Sequence, residues 1–328
     1  MSTAKVVLTD YAWDSLSIEH EILDDLAELT VLQSKNFDEL LPYLSDCDAL
    51  LNTYAGPITA VVMEAMPKCK IIARYGIGID TIDLDAATAA GIIVTNNPSY
   101  CISEVAEHTV ALLLSAARKI TFYDRRVREG EWDVPAAKPI ARVAGKTLGL
   151  VGFGNIARNV AVAAQALGMR VLFSDPFVPD RYRGVGPTKV DLPELLAQSD
   201  FVSVHAPLTA DTRHLIGKSA FGQMKRSAIL VNCGRGPLVE TEALVTALDT
   251  GQIAGCALDT TDPEPLPPQH PLRDRDNVLI TPHAAWFSED AMIALQRGAP
   301  GEVRRVLSGE WPLNVVNPAV RGRSRAGL

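Results

Sequence analysis

Three side chains with complementary chemistry follow short apolar, strand-like runs in the second half of the chain. Arg235 comes after Ala228–Asn232 in Asn232-Cys-Gly-Arg-Gly-Pro. Glu264 comes after Gly255–Asp259 in Asp259-Thr-Thr-Asp-Pro-Glu-Pro. His283 comes after Val278–Thr281 in Thr281-Pro-His-Ala-Ala-Trp. In open α/β sheets ligands bind outside the carboxyl ends of the strands, so three chain-distant groups can converge on one crevice. Their types match hydride transfer to a carbonyl. The alkoxide formed when a carbonyl accepts hydride needs a proton, which an imidazole can supply. A nearby carboxylate orients the ring and favours its protonated form. A guanidinium holds a substrate carboxylate through paired hydrogen bonds and polarises the carbonyl. Taken singly, each residue has a plainer reading: a surface ion pair, a solvated turn residue, a structural histidine. Only the set on one sheet edge points to catalysis.

A second motif lies upstream. Leu148-Gly-Leu-Val-Gly152-Phe-Gly154-Asn-Ile-Ala157 reads strand, then GxGxxA, then helix. Gly152 permits the tight turn out of the strand, Gly154 lets backbone approach a pyrophosphate, and Ala157 is small enough for the helix to pack on the strand. Asn155 and Ile156 open that helix, whose N-terminal N–H groups and positive dipole end suit phosphates. The helix carries Ile156, Val160, Ala163, Ala164 and Leu167 on one face, and the next strand, Arg170–Ser174, ends at Asp175. Alone, GxGxxA is a weak signal and Asp175 before Pro176 is an ordinary turn residue. Together they form a βαβ dinucleotide fingerprint, with Asp175 placed to accept from the adenosine ribose hydroxyls. Asp175 would repel a 2′-phosphate, and Phe173, Ser174, Pro176 and Phe177 offer no cation beside it, so NAD (NADH) is expected over NADP.

These motifs need elements to position them. Strand-like runs alternate with helical patterns throughout, which predicts an α/β fold with parallel sheets. Thr147–Val151, Arg170–Ser174, Phe201–Val204, Ala228–Asn232, Gly255–Asp259 and Val278–Thr281 are strand candidates for a six-stranded dinucleotide-binding sheet. Upstream, Lys5–Thr9, Leu29–Gln33, Ala49–Asn52, Lys70–Arg74 and Ile92–Thr95 read as strands, with helices at Ser17–Ala27 and Asp85–Ala90. A long helix is expected over Ser103–Arg118, where Val105, Thr109, Leu112, Leu113 and Ala116 recur at helical spacing. Another is expected over Glu289–Leu307, followed by extended Asn314–Pro318 that returns to the first domain. The Arg/Gly-containing tail after Pro318 reads as a frayed end. The expected domains are 1–100 with 291–328, and 101–290.

Bulk properties narrow the class. The chain has 328 residues, enough for about two domains, and 47% hydrophobic residues to bury. A net charge of −8 disfavours nucleic acid and acidic membrane surfaces. No apolar run approaches the roughly 20 residues needed to span a bilayer, and no signal peptide is evident. Cys47, Cys69, Cys101, Cys233 and Cys256 are odd in number and widely spaced. That argues against a disulfide framework or metal site and for a reducing, cytoplasmic setting.

On these motifs the chain resembles the D-isomer-specific 2-hydroxyacid dehydrogenase family, over almost its whole length and most densely from Gly145 to Glu289. The resemblance implies two Rossmann-like doubly wound domains, the smaller one discontinuous, flavodoxin-like and substrate-binding. It implies His283 as acid/base, Glu264 as its tuning carboxylate, and Arg235 on the substrate carboxylate. It also implies Asp259 at the nicotinamide carboxamide, with Cys233 and the Pro207–Thr212 loop lining the cofactor. Arg74-Tyr-Gly-Ile-Gly78 resembles the family's substrate loop, whose backbone N–H groups face the carboxylate, so Arg74, Tyr75, Gly76 and Ile77 are candidate substrate residues. Cleft closure would complete such a site. The pattern departs at Ala157, where a third glycine is usual, and at Thr260-Thr261-Asp262.

The segment Pro282–Glu289 is similar to the C-terminal-binding protein branch, in which a Trp three residues after the His reaches the pocket. Trp286 is either such a wall, favouring an apolar or thioether side chain, or core packing. Arg74 is either a second anion contact or an edge ion pair. The expected reaction joins a small 2-oxo acid and its D-2-hydroxy acid. Two other readings stand beside it: a phosphonate-bearing 2-oxo acid, and a corepressor-like scaffold role. A homodimer is implied by the family and by the apolar helix Ser103–Arg118.

Overall fold

The computed structural model describes residues 3–140, 142–179 and 186–328. Contacts divide the chain into two compact units, Met1–Tyr100 with Ser288–Leu328, and Cys101–Phe287. The strands, in chain order, are β1 Ala4–Leu8, β2 Ala27–Val31, β3 Ala49–Asn52, β4 Ile71–Arg74, β5 Ile93–Thr95, β6 Thr147–Val151, β7 Arg170–Ser174, β8 Thr188–Lys189, β9 Phe201–Val204, β10 Ile229–Asn232, β11 Gly255–Leu258 and β12 Val278–Ile280.

The first unit holds a five-stranded parallel sheet in the order β2-β1-β3-β4-β5. This is the flavodoxin-like doubly wound order. Its central strand β3 is buried at every residue, whereas the edge strand β2 is only partly so, as helices on both faces of a parallel sheet require. Two elements, the first helix and β2, differ from expectation by more than one residue at a boundary. The first helix ends at Leu23 rather than Ala27, because Ala27 opens β2 opposite Ala4. Gln33 lies outside the strand: its backbone is left-handed (φ 51°) and its side chain bonds Tyr11.

The extended Asn314–Pro318 segment returns to the first sheet, and beyond Pro318 the chain is tied down as well, which corrects the frayed-end expectation there. Val315 bridges Thr95 antiparallel, and the Val316 N–H donates to the Val94 carbonyl. Asn317 accepts from the Val94 N–H and donates to the Ile92 carbonyl and the Thr88 hydroxyl. Beyond Pro318, Val320 is fully buried, and Arg325 donates to the carbonyls of Gly91, Met66 and Cys69. Composition misled here because backbone carbonyls at the end of a sheet can bind a polar tail as well as water can.

The second unit holds a seven-stranded parallel sheet in the order β12-β11-β10-β9-β6-β7-β8. Its six longer strands are the expected ones. The seventh, β8, is a correction: at two residues it is too short to show any period, and it adds to β7 through Leu172↔Thr188 and Phe173↔Lys189. One face is covered by the helices Leu192–Gln198, Lys218–Gln223 and Thr241–Asp249, the other by Ile102–Arg118 and Asn155–Ala166. In Ile102–Arg118 the side chains Ala106, Leu112, Leu113 and Ala117 are buried in the core this unit's sheet forms with the helix Asn155–Ala166. Its apolar stripe is therefore accounted for within the subunit and does not itself call for a second copy.

Asn317 satisfies three groups at the end of the first sheet. Asn317→Ala is expected to destabilise the protein by about 1–3 kcal/mol through the orphaned Val94 N–H and Ile92 carbonyl, read as a lower urea midpoint at unchanged slope.

Candidate active site

In the second unit the strand ends place Arg235, Glu264 and His283 as neighbours. The His283 Nδ1 lies 2.6 Å from Glu264 Oε1, so the carboxylate fixes the ring's orientation. No hydrogen bond to His283 Nε2 occurs among the described residues, which leaves that nitrogen for a reacting group. Burial pushes the Glu264 carboxyl up. The His283 hydrogen bond and charge, the Thr261 N–H and the Arg235 charge outweigh it and hold the carboxyl below its usual value. Glu264 is thus an anion at neutral pH, able to stabilise positive charge on the ring beside it.

Arg235 is set by its own turn. Asn232, almost wholly buried at the end of β10, accepts from the Gly234 N–H and donates to the Arg235 carbonyl. Gly236 then lies so close to the next loop that an added Cβ would sit 1.9 Å from the Thr261 carbonyl oxygen. The glycine after Arg235 is therefore what lets the Arg235 and Glu264 loops approach.

His283 has a left-handed backbone, φ 55°, a conformation that costs a non-glycine residue about 1–3 kcal/mol. Asp259 holds it there. The Asp259 carbonyl accepts from the His283 N–H at 2.9 Å. Its carboxylate accepts from the Ala284 N–H at 2.9 Å, the Ala285 N–H at 3.0 Å and the Thr281 hydroxyl at 2.6 Å. Hydrogen bonds to a charged group contribute about 1.5–3 kcal/mol each, so two of them suffice to outweigh the strain. Expected at the nicotinamide carboxamide, Asp259 is found beneath the catalytic turn with its side chain only 1% exposed. A contact with a carboxamide would fall to the one remaining lone pair on Oδ2.

The dinucleotide motif has the shape its glycines require. Gly152 turns at φ 89°, and a Cβ there would meet the Ala206 N at 2.8 Å and the His205 carbonyl carbon at 2.9 Å. Gly154 differs: a Cβ there would meet nothing within 4 Å, so packing does not require the glycine. Gly154 caps the helix Asn155–Ala166 without a side-chain acceptor, leaving the first-turn N–H groups of Asn155 and Ile156 for an anion. Ala157 is buried in the core. Asp175 accepts from the N–H of Phe153 and of Phe177, both at 2.8 Å, so it braces the glycine turn it follows. These features fit a dinucleotide.

Asp175 lines a hollow with Pro176, Lys189, Val190 and Asp191. Lys189 was missed by the sequence reading because it arrives on β8. It donates to the Val178 carbonyl. Pro207 and Thr212 close one turn, the Thr212 hydroxyl donating to the Pro207 carbonyl at 2.6 Å. Burial drives the Cys233 thiol up to about 12, so it is not a nucleophile at neutral pH. Trp286 is half-buried, edge-on to Phe287.

In the first unit, Arg74 ends β4 and donates to the Tyr75 carbonyl. Tyr75 is placed differently from expectation. Its N–H extends the sheet by bonding the Asn52 carbonyl, and its buried ring reaches Glu19 Oε1 through the hydroxyl at 3.2 Å. Tyr75 therefore has no N–H left to offer an anion. Gly76 and Ile77 do: their carbonyls are engaged by the Asn97 N–H and the Asn96 side chain, and no bond from their N–H groups occurs among the described residues. Asn96 and Asn97 went unnoticed in the sequence because their role is to hold backbone.

The profile of the D-isomer specific 2-hydroxyacid dehydrogenase NAD binding domain matches residues 110–285. The chain is 42% identical over 286 residues to a glyoxylate reductase of Korarchaeum cryptofilum, covering 86% of each chain. It belongs to the D-isomer-specific 2-hydroxyacid dehydrogenase family. It is also 40% identical over 299 residues to a D-3-phosphoglycerate dehydrogenase of Methanocaldococcus jannaschii, spanning 90% of this chain and 57% of that longer one. A D-lactate dehydrogenase from Aquifex aeolicus, solved with NAD and lactic acid, superposes with a TM-score of 0.87 at 28% identity over 95% of this chain and 99% of that one. As a 2-hydroxyacid dehydrogenase, the protein is an NAD-dependent oxidoreductase.

In this dehydrogenase the two glycines should separate fold from binding. Gly154→Ala is expected to leave the melting temperature within about 2 °C, since the methyl enters open space. It should weaken NADH binding by about tenfold or more by blocking the phosphate's approach to the helix N-terminus, measured by fluorescence titration.

Proposed function

We propose that the protein reduces the C2 carbonyl of a small 2-oxo acid to the D-2-hydroxy acid, or runs the reverse reaction, with His283 as acid/base. The observation that carries this is the His283–Glu264 pair at 2.6 Å with the ring's other nitrogen unbonded. Bound NADH would supply the hydride. His283 gives its Nε2 proton to the oxygen as negative charge develops there, and Glu264 stabilises the imidazolium before transfer. Arg235 holds the substrate carboxylate; within the first unit, the Gly76 and Ile77 N–H groups are open to an anion. Gly152, Gly154, Asn155, Ile156 and Asp175 would hold the dinucleotide, with Pro207, Thr212, Cys233 and Asp259 lining it. The carboxylate of Asp175 favours NADH over NADPH.

The glyoxylate reductase relatives make glyoxylate the first substrate to try. The apolar face of Trp286 favours oxo acids with an apolar or thioether side chain, and Arg74 is the residue that a phosphonate-bearing oxo acid would engage. The five cysteines are free thiols, which suits the reducing, cytoplasmic setting expected. A homodimer is best supported by the segment after the long helix, where Ile120, Val127, Trp132 (88% exposed) and Val134 (75% exposed) present apolar surface. Light scattering should then give twice 35.3 kDa; a monomeric mass at micromolar concentration contradicts it.

NADH oxidation against glyoxylate, pyruvate, hydroxypyruvate, phenylpyruvate, 4-methylthio-2-oxobutyrate and phosphonopyruvate tests the activity. Turnover of at least one is expected, falling about 10²–10⁴-fold in His283→Ala; silence from a folded, NADH-bound protein overturns it. The Glu264 carboxyl is held below its ordinary value, so it stays ionised as pH falls and loses its charge only below the ordinary carboxylate range. Glu264 protonation should therefore cost no rate as pH drops from about 7 to about 5. In the same assay Glu264→Gln is expected to slow reduction at about pH 7, because the charge favouring a protonated ring is gone.

A further inference from the structure

A histidine outside the triad closes the cluster beneath the catalytic turn. His108, on the helix Ile102–Arg118, places Nε2 3.0 Å from the Thr281 hydroxyl and 3.5 Å from Asp259 Oδ1. The Thr281 hydroxyl has one proton, and at 2.6 Å it gives it to Asp259 Oδ1. The Asp259 carboxylate already accepts from the N–H groups of Ala284 and Ala285 and has no proton to return. The Thr281 oxygen must therefore accept from His108, which fixes the proton of His108 on Nε2. The other tautomer would set a ring lone pair against a hydroxyl lone pair. The donors converge on the carboxylate: His108 Nε2–H donates to Thr281, Thr281 O–H donates to Asp259, and the N–H groups of Ala284 and Ala285, which follow His283, donate to the same carboxylate.

We propose that His108 is a positioning residue for hydride transfer, acting through Thr281 and Asp259 to hold the left-handed turn that presents His283. This rests on the reading of His283 as acid/base given above. His108 touches neither the His283 ring nor any group placed on the cofactor phosphates. Its loss is thus expected to affect the chemical step and to spare dinucleotide binding. The side chain stands one residue before buried Thr109, and the buried positions one turn before and after it, Val105 and Leu112, are apolar. A merely space-filling role there would be served equally by leucine.

Three full-length variants test this: His108→Leu, which fills space without a donor; His108→Gln, which keeps an N–H near the Nε2 position; and Thr281→Val. Hydrogen exchange of the Ala284 and Ala285 amides is the readout that needs no substrate. It is expected to quicken about tenfold or more in His108→Leu and Thr281→Val and to stay near wild type in His108→Gln. With the 2-oxo acid that the wild type turns over fastest, kcat should fall about tenfold or more in the first two. The dissociation constant for NADH should stay within about twofold, and His108→Gln should recover most of the rate. The double variant should be no slower than either single one, because both cut one chain of bonds. Unchanged exchange at Ala284 and Ala285 in His108→Leu overturns the proposal, as does a loss of NADH binding in step with kcat and no recovery by Gln. A wild type that turns over no 2-oxo acid but shows the exchange pattern would refute the assigned reaction and leave the clamp standing.

Discussion

A single buried carboxylate fixes the catalytic turn. Asp259 stands at the end of β11 and receives hydrogen bonds from three positions of the turn after β12, while its carbonyl receives a fourth from His283 itself. The result is a non-glycine residue held in a left-handed conformation, with one ring nitrogen on Glu264 and the other outward. Strain of this kind survives only where its surroundings over-determine it. Here the compensation is local and electrostatic, and comes from N–H groups that would otherwise be orphaned at a strand end.

The parallel sheet explains why the groups meet. β10, β11 and β12 are adjacent and point the same way. The turns after them therefore emerge side by side and carry Arg235, Asp259 with Glu264, and His283 in that order. Close approach between the first two is permitted by Gly236, which has no side chain to strike Thr261. The dinucleotide turn after β6 stands on the same edge, braced by Asp175 from β7. The His283 turn and the dinucleotide turn thus share one edge of one sheet, each held by a carboxylate accepting backbone N–H groups.

Much of this was legible in the sequence, and the reasons differ by residue. The strands β6, β7 and β9 through β12 are near-continuous apolar runs, and the residues beyond them announce themselves by type. The two-residue β8 has no period to detect, so Lys189 was missed beside Asp175. The tail after Pro318 was misread because composition does not report that Val320 is buried and that Arg325 finds carbonyls to bind. Tyr75 was assigned to an anion by its motif, but its N–H belongs to the sheet and its ring to Glu19. Asn96, Asn97 and His108 were invisible for one shared reason. They act on backbone or on another side chain, and no spacing rule marks a residue whose partner lies far away in the chain.

The most direct measurement is the fate of the hydride. A prochiral 2-oxo acid that the enzyme accepts would be reduced with NADH carrying deuterium at both C4 positions, and the product analysed by mass and on a chiral phase. Deuterium at C2 of a D-2-hydroxy acid, absent with His283→Ala, is the expected result. A product without deuterium at C2, or one of L configuration, would contradict direct hydride transfer at a site built around His283.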